Sequence, residues 1–136
     1  MAITSEEALV DAVKDAAGSI SVQGGGTRGL PATGQVVSIA GLQGITLYEP
    51  GALTLVAKPG TPVAEIEEAL AAENQRLAFE PMDHRGLLGT TGTPTIGGVM
   101  AGNISGPRRI SVGAARDFLL GVRFVDGRGA VVKNGG

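Results

Sequence analysis

Gly24-Gly25-Gly26-Thr27-Arg28-Gly29 follows a short β-branched stretch and satisfies G-x-G-x-x-G. In dinucleotide-binding proteins this spacing brings backbone N–H groups up to a pyrophosphate. That fold also requires a helix directly after the glycines, because its N-terminus supplies the dipole for the phosphates. Here Leu30-Pro31-Ala32-Thr33-Gly34-Gln35 follows, without helical periodicity, and then a strand pattern. Glu49 stands where a ribose-binding acid would be expected, but it precedes the turn residues Pro50-Gly51. No Gly-Lys-Ser/Thr is present, which excludes a Walker phosphate loop. The chemistry of the residues remains. Three consecutive glycines let N–H groups converge into a nest for an anion, Thr27 adds a hydroxyl donor and Arg28 a positive charge. A bare tight turn that needs only positive φ accounts for the same glycines.

A second stretch carries similar chemistry. In Thr95-Ile96-Gly97-Gly98-Val99-Met100-Ala101, two glycines open a short apolar turn, and Gly102-Asn103-Ile104-Ser105-Gly106 adds small polar residues. A helix that begins on glycine lets a ligand approach the N–H groups of its first turn. Two loops of this kind, far apart in sequence, could clamp the two ends of one elongated anion. Other polar residues read more plainly. His84, the only histidine, lies in a polar, Pro-flanked segment and reads as solvated rather than as a base. Arg108 and Arg109 suit either a phosphate or an ion pair with Glu80. Arg116 and Asp117 read as a surface pair of little energy. Glu65, Glu67 and Glu68 read as a solvated helix face, and Met100 as core.

These segments must be held by regular elements. Residues 4–17 read as a helix, with Thr4 and Glu7 as a capping box, Leu9, Ala12, Val13 and Ala16 as the apolar stripe, and Gly18 as its end. Residues 19–23, 36–40, 45–48 and 53–58 read as short strands. Thr61 and Pro62 read as the N-cap and first position of a second helix, with Val63, Ile66 and Leu70 facing inward and Asn74 as its terminator. Leu77 to Phe79 reads as a strand, residues 80–113 as a long functional loop holding seven glycines from Gly86 to Gly106, and residues 118–125 and 130–133 as a hairpin around Asp126-Gly127.

Composition narrows the function. Glycine supplies 23 of 136 residues, aromatics only 3%, and cysteine none. The core must then come from Val, Ile, Leu and Ala, and no thiolate metal site or disulfide is possible. A net charge of −2 argues against a nucleic-acid partner. No apolar run reaches membrane-spanning length, and the start of the chain lacks the basic and apolar segments of a signal peptide, so a cytoplasmic location is expected. The closing Asn134-Gly135-Gly136 suggests a chain that stops partway through a domain.

Together, "VQGGGTRG" and "TIGGVMAGNISGPRRISVGAARDFLLGVRFVDGRG" resemble the FAD-binding domain of the vanillyl-alcohol oxidase and para-cresol methylhydroxylase (PCMH) type, with Lys58-Pro59-Gly60-Thr61-Pro62 contributing. Within that family the chain is most similar to the FAD-binding (E-type) subunits of bacterial glycolate oxidases, and "GPRRISVGAARDFLLGVR" carries the specific part. The resemblance implies an α+β PCMH-type fold, with residues 1–136 forming the first lobe, a small sheet flanked by helices. The second lobe and a C-terminal region would lie beyond it. It implies FAD between the lobes, with Gly24, Gly25, Gly26, Thr27 and Arg28 around the pyrophosphate. Ile96, Gly97, Gly98, Ala101, Asn103, Ser105 and Gly106 would line the flavin and its ribityl-phosphate arm, and Gly113 and Asp117 fall in the same motif. The flavin is expected to be non-covalent, since the first loop carries neither His nor Cys. The implied activity is FAD-dependent oxidation of glycolate or D-lactate to the 2-oxo acid, with catalytic residues for the hydroxy acid outside these 136 residues. The implied partners are a second flavin subunit and an iron-sulfur subunit, in a complex peripheral to the inner face of the membrane. Two other readings stand beside it: an assembly subunit that keeps the fold without flavin, and an enolpyruvyl sugar reductase-like FAD protein.

Overall fold

The computed structural model describes residues 2–136; Met1 lies outside them. The fold is α+β. Its elements are α1 (Glu6–Asp15), β1 (Ile20–Gln23), β2 (Gln35–Ser38), β3 (Ile45–Glu49), β4 (Thr54–Ala57), α2 (Val63–Ala71), α3 (Arg85–Leu88), α4 (Ile96–Ala101), α5 (Arg109–Val112), β5 (Gly121–Val125) and β6 (Val131–Gly135). Instead of one small sheet there are three two-stranded ones among the described residues.

β1 and β2 pair in parallel, with Ile20 opposite Gln35 and Gln23 opposite Ser38. Parallel neighbours need a crossover, and here residues 24–34 make it without a helix, carrying the glycine loop past the end of β1. The segment before α1 joins the same sheet, the Ile3 N–H donating to the Ser38 carbonyl at 3.0 Å. That pairing keeps the chain extended at Ile3, and the helix starts later than expected. Ser5, not Thr4, is the cap, its hydroxyl accepting from the Ala8 N–H at 3.1 Å. The helix also ends early, at Asp15, because Ala16 is already extended. Ser5→Ala is therefore expected to cost about 1 kcal/mol in urea denaturation, while Thr4→Ala leaves the cap intact.

Two small cores hold the chain. Ile3, Ala12, Val37, Ile39 and Leu42 join α1 to the β1–β2 sheet. Val63, Phe79, Val99 and Ala115 join α2 to the segments around α4. Phe79 belongs to the second core without any strand pairing: the apolar run Leu77 to Phe79 signals burial rather than a strand. Phe118, expected to begin β5, sits in a short 3-10 turn and stacks on Phe79 at a centroid distance of 6.2 Å. α2 begins differently from the sequence reading too. Pro62 is its N-cap, and Thr61 is fully buried. Asn74 does adopt a left-handed φ of 55° just beyond the helix.

The β3–β4 ribbon is antiparallel, and Tyr48 ties it to the turn after α2 by donating its hydroxyl to Gln75 at 2.6 Å. The 80–113 segment is not structureless, since α3, α4 and α5 lie within it. β5 and β6 form the expected hairpin. The Asp126 carboxylate closes its loop by accepting from the N–H groups of Arg128 at 2.8 Å and Ala130 at 2.9 Å.

Candidate functional site

β1 delivers the chain straight into Gly24. Gly26 (φ 69°) and Gly29 (φ 63°) take left-handed backbone, and the Gly29 N–H closes the turn on the Gly26 carbonyl at 3.3 Å. Among the described residues, nothing accepts a hydrogen bond from the N–H groups of Gly24, Gly25, Gly26, Thr27 or Arg28. Five adjacent amides are thus left without a partner within the chain.

The glycines serve a second purpose. A Cβ on Gly25 would overlap the Thr93 carbonyl oxygen, and one on Gly92 (φ 101°) would overlap the Gly25 carbonyl oxygen. A Cβ on Gly24 would come 2.7 Å from the Thr95 hydroxyl oxygen. The Thr90 hydroxyl donates to the Thr27 carbonyl. Residues 90–95 thus lie backbone to backbone along the glycine loop. The two glycine-rich stretches meet, and the order of contact is set by residues to which the sequence assigned no site role: Gly92, Thr93 and Thr95. The run Gly89-Thr90-Thr91-Gly92-Thr93-Pro94-Thr95, all small or constrained residues, was the available signal.

Between these segments lies a cleft of about 280 Å³, whose lining includes Gly24, Gly25, Gln43, Gly60, Thr93 and Thr95. None of its lining residues is ionisable. Gly60 belongs to the turn before α2, where a Cβ would overlap the Ile39 carbonyl oxygen. Thr61 fixes that turn. Its hydroxyl donates to the Lys58 carbonyl at 2.7 Å and accepts from the Gly44 N–H at 2.9 Å, and its carbonyl accepts from the Ile96 N–H at 3.0 Å.

The second stretch is placed beside the first but spends its donors internally. The Ile96 N–H goes to Thr61, the Gly97 N–H to the Pro59 carbonyl at 2.8 Å and the Gly98 N–H to the Thr95 hydroxyl at 3.3 Å. Gly97 is packed so closely that a Cβ would lie 2.7 Å from the Pro59 side chain. Asn103 and Ser105 use their side-chain oxygens to accept from the N–H groups of Arg116 at 3.0 Å and Ala115 at 2.9 Å. Gly106 donates to the Glu80 carbonyl at 2.7 Å, and the Glu80 carboxylate pairs with Arg108 at 2.7 Å. Ile96 packs on the second core, and Ala101 is exposed on α4. The first amides of α4 are therefore taken up within the chain, and none of Ile96, Gly97, Gly98, Ala101, Asn103, Ser105 and Gly106 lines the cleft. The Arg28 guanidinium lies against Gly102 at the C-terminal end of α4, linking the two stretches. Asp117 accepts from the Ala114 N–H at 2.8 Å and meets Arg116 only at 4.0 Å, an exposed pair of little energy.

Before α3, the Asp83 carboxylate accepts from Arg85 Nε at 3.0 Å and Nη2 at 2.7 Å. These hydrogen bonds hold its pKa down at about 2. His84 begins α3, its carbonyl accepting from the Leu88 N–H at 2.9 Å. Among the described residues no cluster of His, Asp and Glu is placed to hold a metal ion, and no helix is long and apolar enough to cross a membrane.

Residues 1–135 match the family described as FAD binding domain. The chain is 36% identical over 136 residues to glycolate oxidase subunit GlcE of Escherichia coli (strain K12), covering 96% of this chain and 37% of that protein. It therefore spans little more than a third of the length of this curated relative. Among solved structures, it is similar to wild-type Phl p 4.0202, a glucose dehydrogenase (TM-score 0.73, 19% identity, 98% of this chain and 28% of that one). It is also similar to alkyldihydroxyacetonephosphate synthase (TM-score 0.70, 18% identity, 98% and 25%). A third is the H174A variant of berberine bridge enzyme in complex with (S)-reticuline (TM-score 0.73, 17% identity, 98% and 27%). These likenesses establish the fold.

Proposed function

This chain belongs to the FAD binding domain family, and on that premise we propose that it is the nucleotide-holding part of a subunit that oxidises glycolate or a related 2-hydroxy acid such as D-lactate. FAD is the cofactor. The observation that carries the reading is the run of free amides from Gly24 to Arg28, in a loop that packs on the 90–95 segment and borders a cleft, which suits a diphosphate. In this reading those N–H groups and the Thr27 hydroxyl hold phosphate oxygens, while Arg28 places its charge nearby. Ile96, Gly97, Gly98, Ala101, Asn103, Ser105 and Gly106 shape the wall along the ribityl-phosphate arm. Bound FAD supplies the two-electron acceptor for the substrate carbon. The chain's own residues supply binding and orientation.

Attachment is non-covalent in this reading, which the absence of cysteine and the lack of histidine in either glycine stretch support. Residues 1–136 form the first part of the FAD domain, and the second lobe, the substrate-handling residues and contacts to a second flavin subunit and an iron-sulfur subunit belong to the rest of the assembly. The complex would work in the cytoplasm, against the inner face of the membrane. The test is to purify the whole protein gently, read flavin absorbance, then add glycolate. A yellow protein that bleaches with glycolate is the expected result. A colourless protein that takes up no added FAD would point to an assembly subunit instead.

A further inference from the structure

Arg85 is exposed, yet its guanidinium is fixed on two sides. Asp83 holds Nε and Nη2, which leaves Nη1 free to donate to the Gly92 carbonyl at 3.0 Å. Gly92 is the residue whose left-handed backbone packs on the Gly25 carbonyl, and the next residue, Thr93, lines the cleft. In a trans peptide the C=O and the following N–H point in opposite directions. Fixing the Gly92 carbonyl toward Arg85 therefore aims the Thr93 N–H away from it. A cationic partner on the carbonyl also polarises that peptide and strengthens the N–H as a donor. Among the described residues, nothing accepts from the Thr93 N–H.

We propose that Arg85, held by Asp83, is a positioning residue for the cofactor cleft, orienting the Gly92–Thr93 peptide so that its N–H is a donor to the dinucleotide. This rests on the FAD reading above. The cation acts through the peptide and makes no contact with the ligand itself. As an exposed ion pair it contributes little to folding, so binding and stability separate cleanly.

The experiment measures FAD affinity by flavin fluorescence, and the melting temperature of the flavin-free protein, for the unchanged protein, Arg85→Gln and Arg85→Lys. Arg85→Gln is expected to weaken FAD about tenfold, the size of one charge-assisted hydrogen bond, with the melting temperature unchanged. Arg85→Lys keeps a cationic donor for the Gly92 carbonyl and should recover part of that loss. Equal affinity in Arg85→Gln and the unchanged protein would overturn the proposal alone, as would Arg85→Lys binding no better than Arg85→Gln. A parallel fall in melting temperature would assign Arg85 a structural role instead. No FAD uptake by the unchanged protein would overturn the cofactor reading and this proposal with it.

Discussion

Gly25→Val is expected to leave the purified protein without flavin and to destabilise it by about 3 kcal/mol, the upper range for overpacking a filled site. The cause is internal. The first atom of any side chain at Gly25 overlaps the Thr93 carbonyl oxygen, and the neighbouring atoms are also Thr93 backbone. Backbone cannot swing aside as a long side chain would, so the 90–95 segment must separate from the glycine loop. Separation also displaces the loop that holds the free amides of Gly24 to Arg28. Flavin absorbance after gel filtration and a urea titration read the two effects. Gly51→Ala serves as the control, because a Cβ there meets nothing within 4 Å. If Gly25→Val kept full flavin content, the 24–28 loop would not be the phosphate site.

Thr61→Val is expected to cost about 2 kcal/mol in urea denaturation. Valine matches threonine in shape but removes the hydroxyl that serves both the Lys58 carbonyl and the Gly44 N–H. Thr61 is fully buried, and the Gly44 N–H is left with an unmet hydrogen bond, while the Lys58 carbonyl keeps the Thr61 backbone N–H at 3.1 Å. Thr61→Ser keeps the hydroxyl and loses one methyl group, for which about 1 kcal/mol is expected. A Ser variant as unstable as the Val variant would show that the methyl packing, not the hydroxyl, holds the turn. Because this turn carries Gly60 into the cleft wall, the Val variant should also bind FAD more weakly.

Much of this was legible in the chain. The apolar spacing of α1 and α2 announced both helices, and β-branched runs announced four of the strands around them. Boundaries were less legible, for a reason Ser5 illustrates. Thr4 and Ser5 are equally good caps, and the choice between them was made by Ile3 pairing with Ser38. Leu77 to Phe79 shows a related limit. Its apolarity demanded burial, and both strand pairing and a helix-packed core satisfy that demand.

The sequence by itself determined that Gly24 to Arg28 has few side chains to cover its amides, and that no helix directly follows it. That is a property of residue type and local order. Which donors stay free was decided only in the tertiary structure. Ile96, Gly97 and Gly98 looked as available as the first loop, and they lose their N–H groups to Thr61, Pro59 and Thr95. Asn103 and Ser105 likewise give their oxygens to Arg116 and Ala115. A hydrogen-bond donor is available to a ligand only when no part of the chain reaches it first, and that depends on contacts between residues distant in sequence.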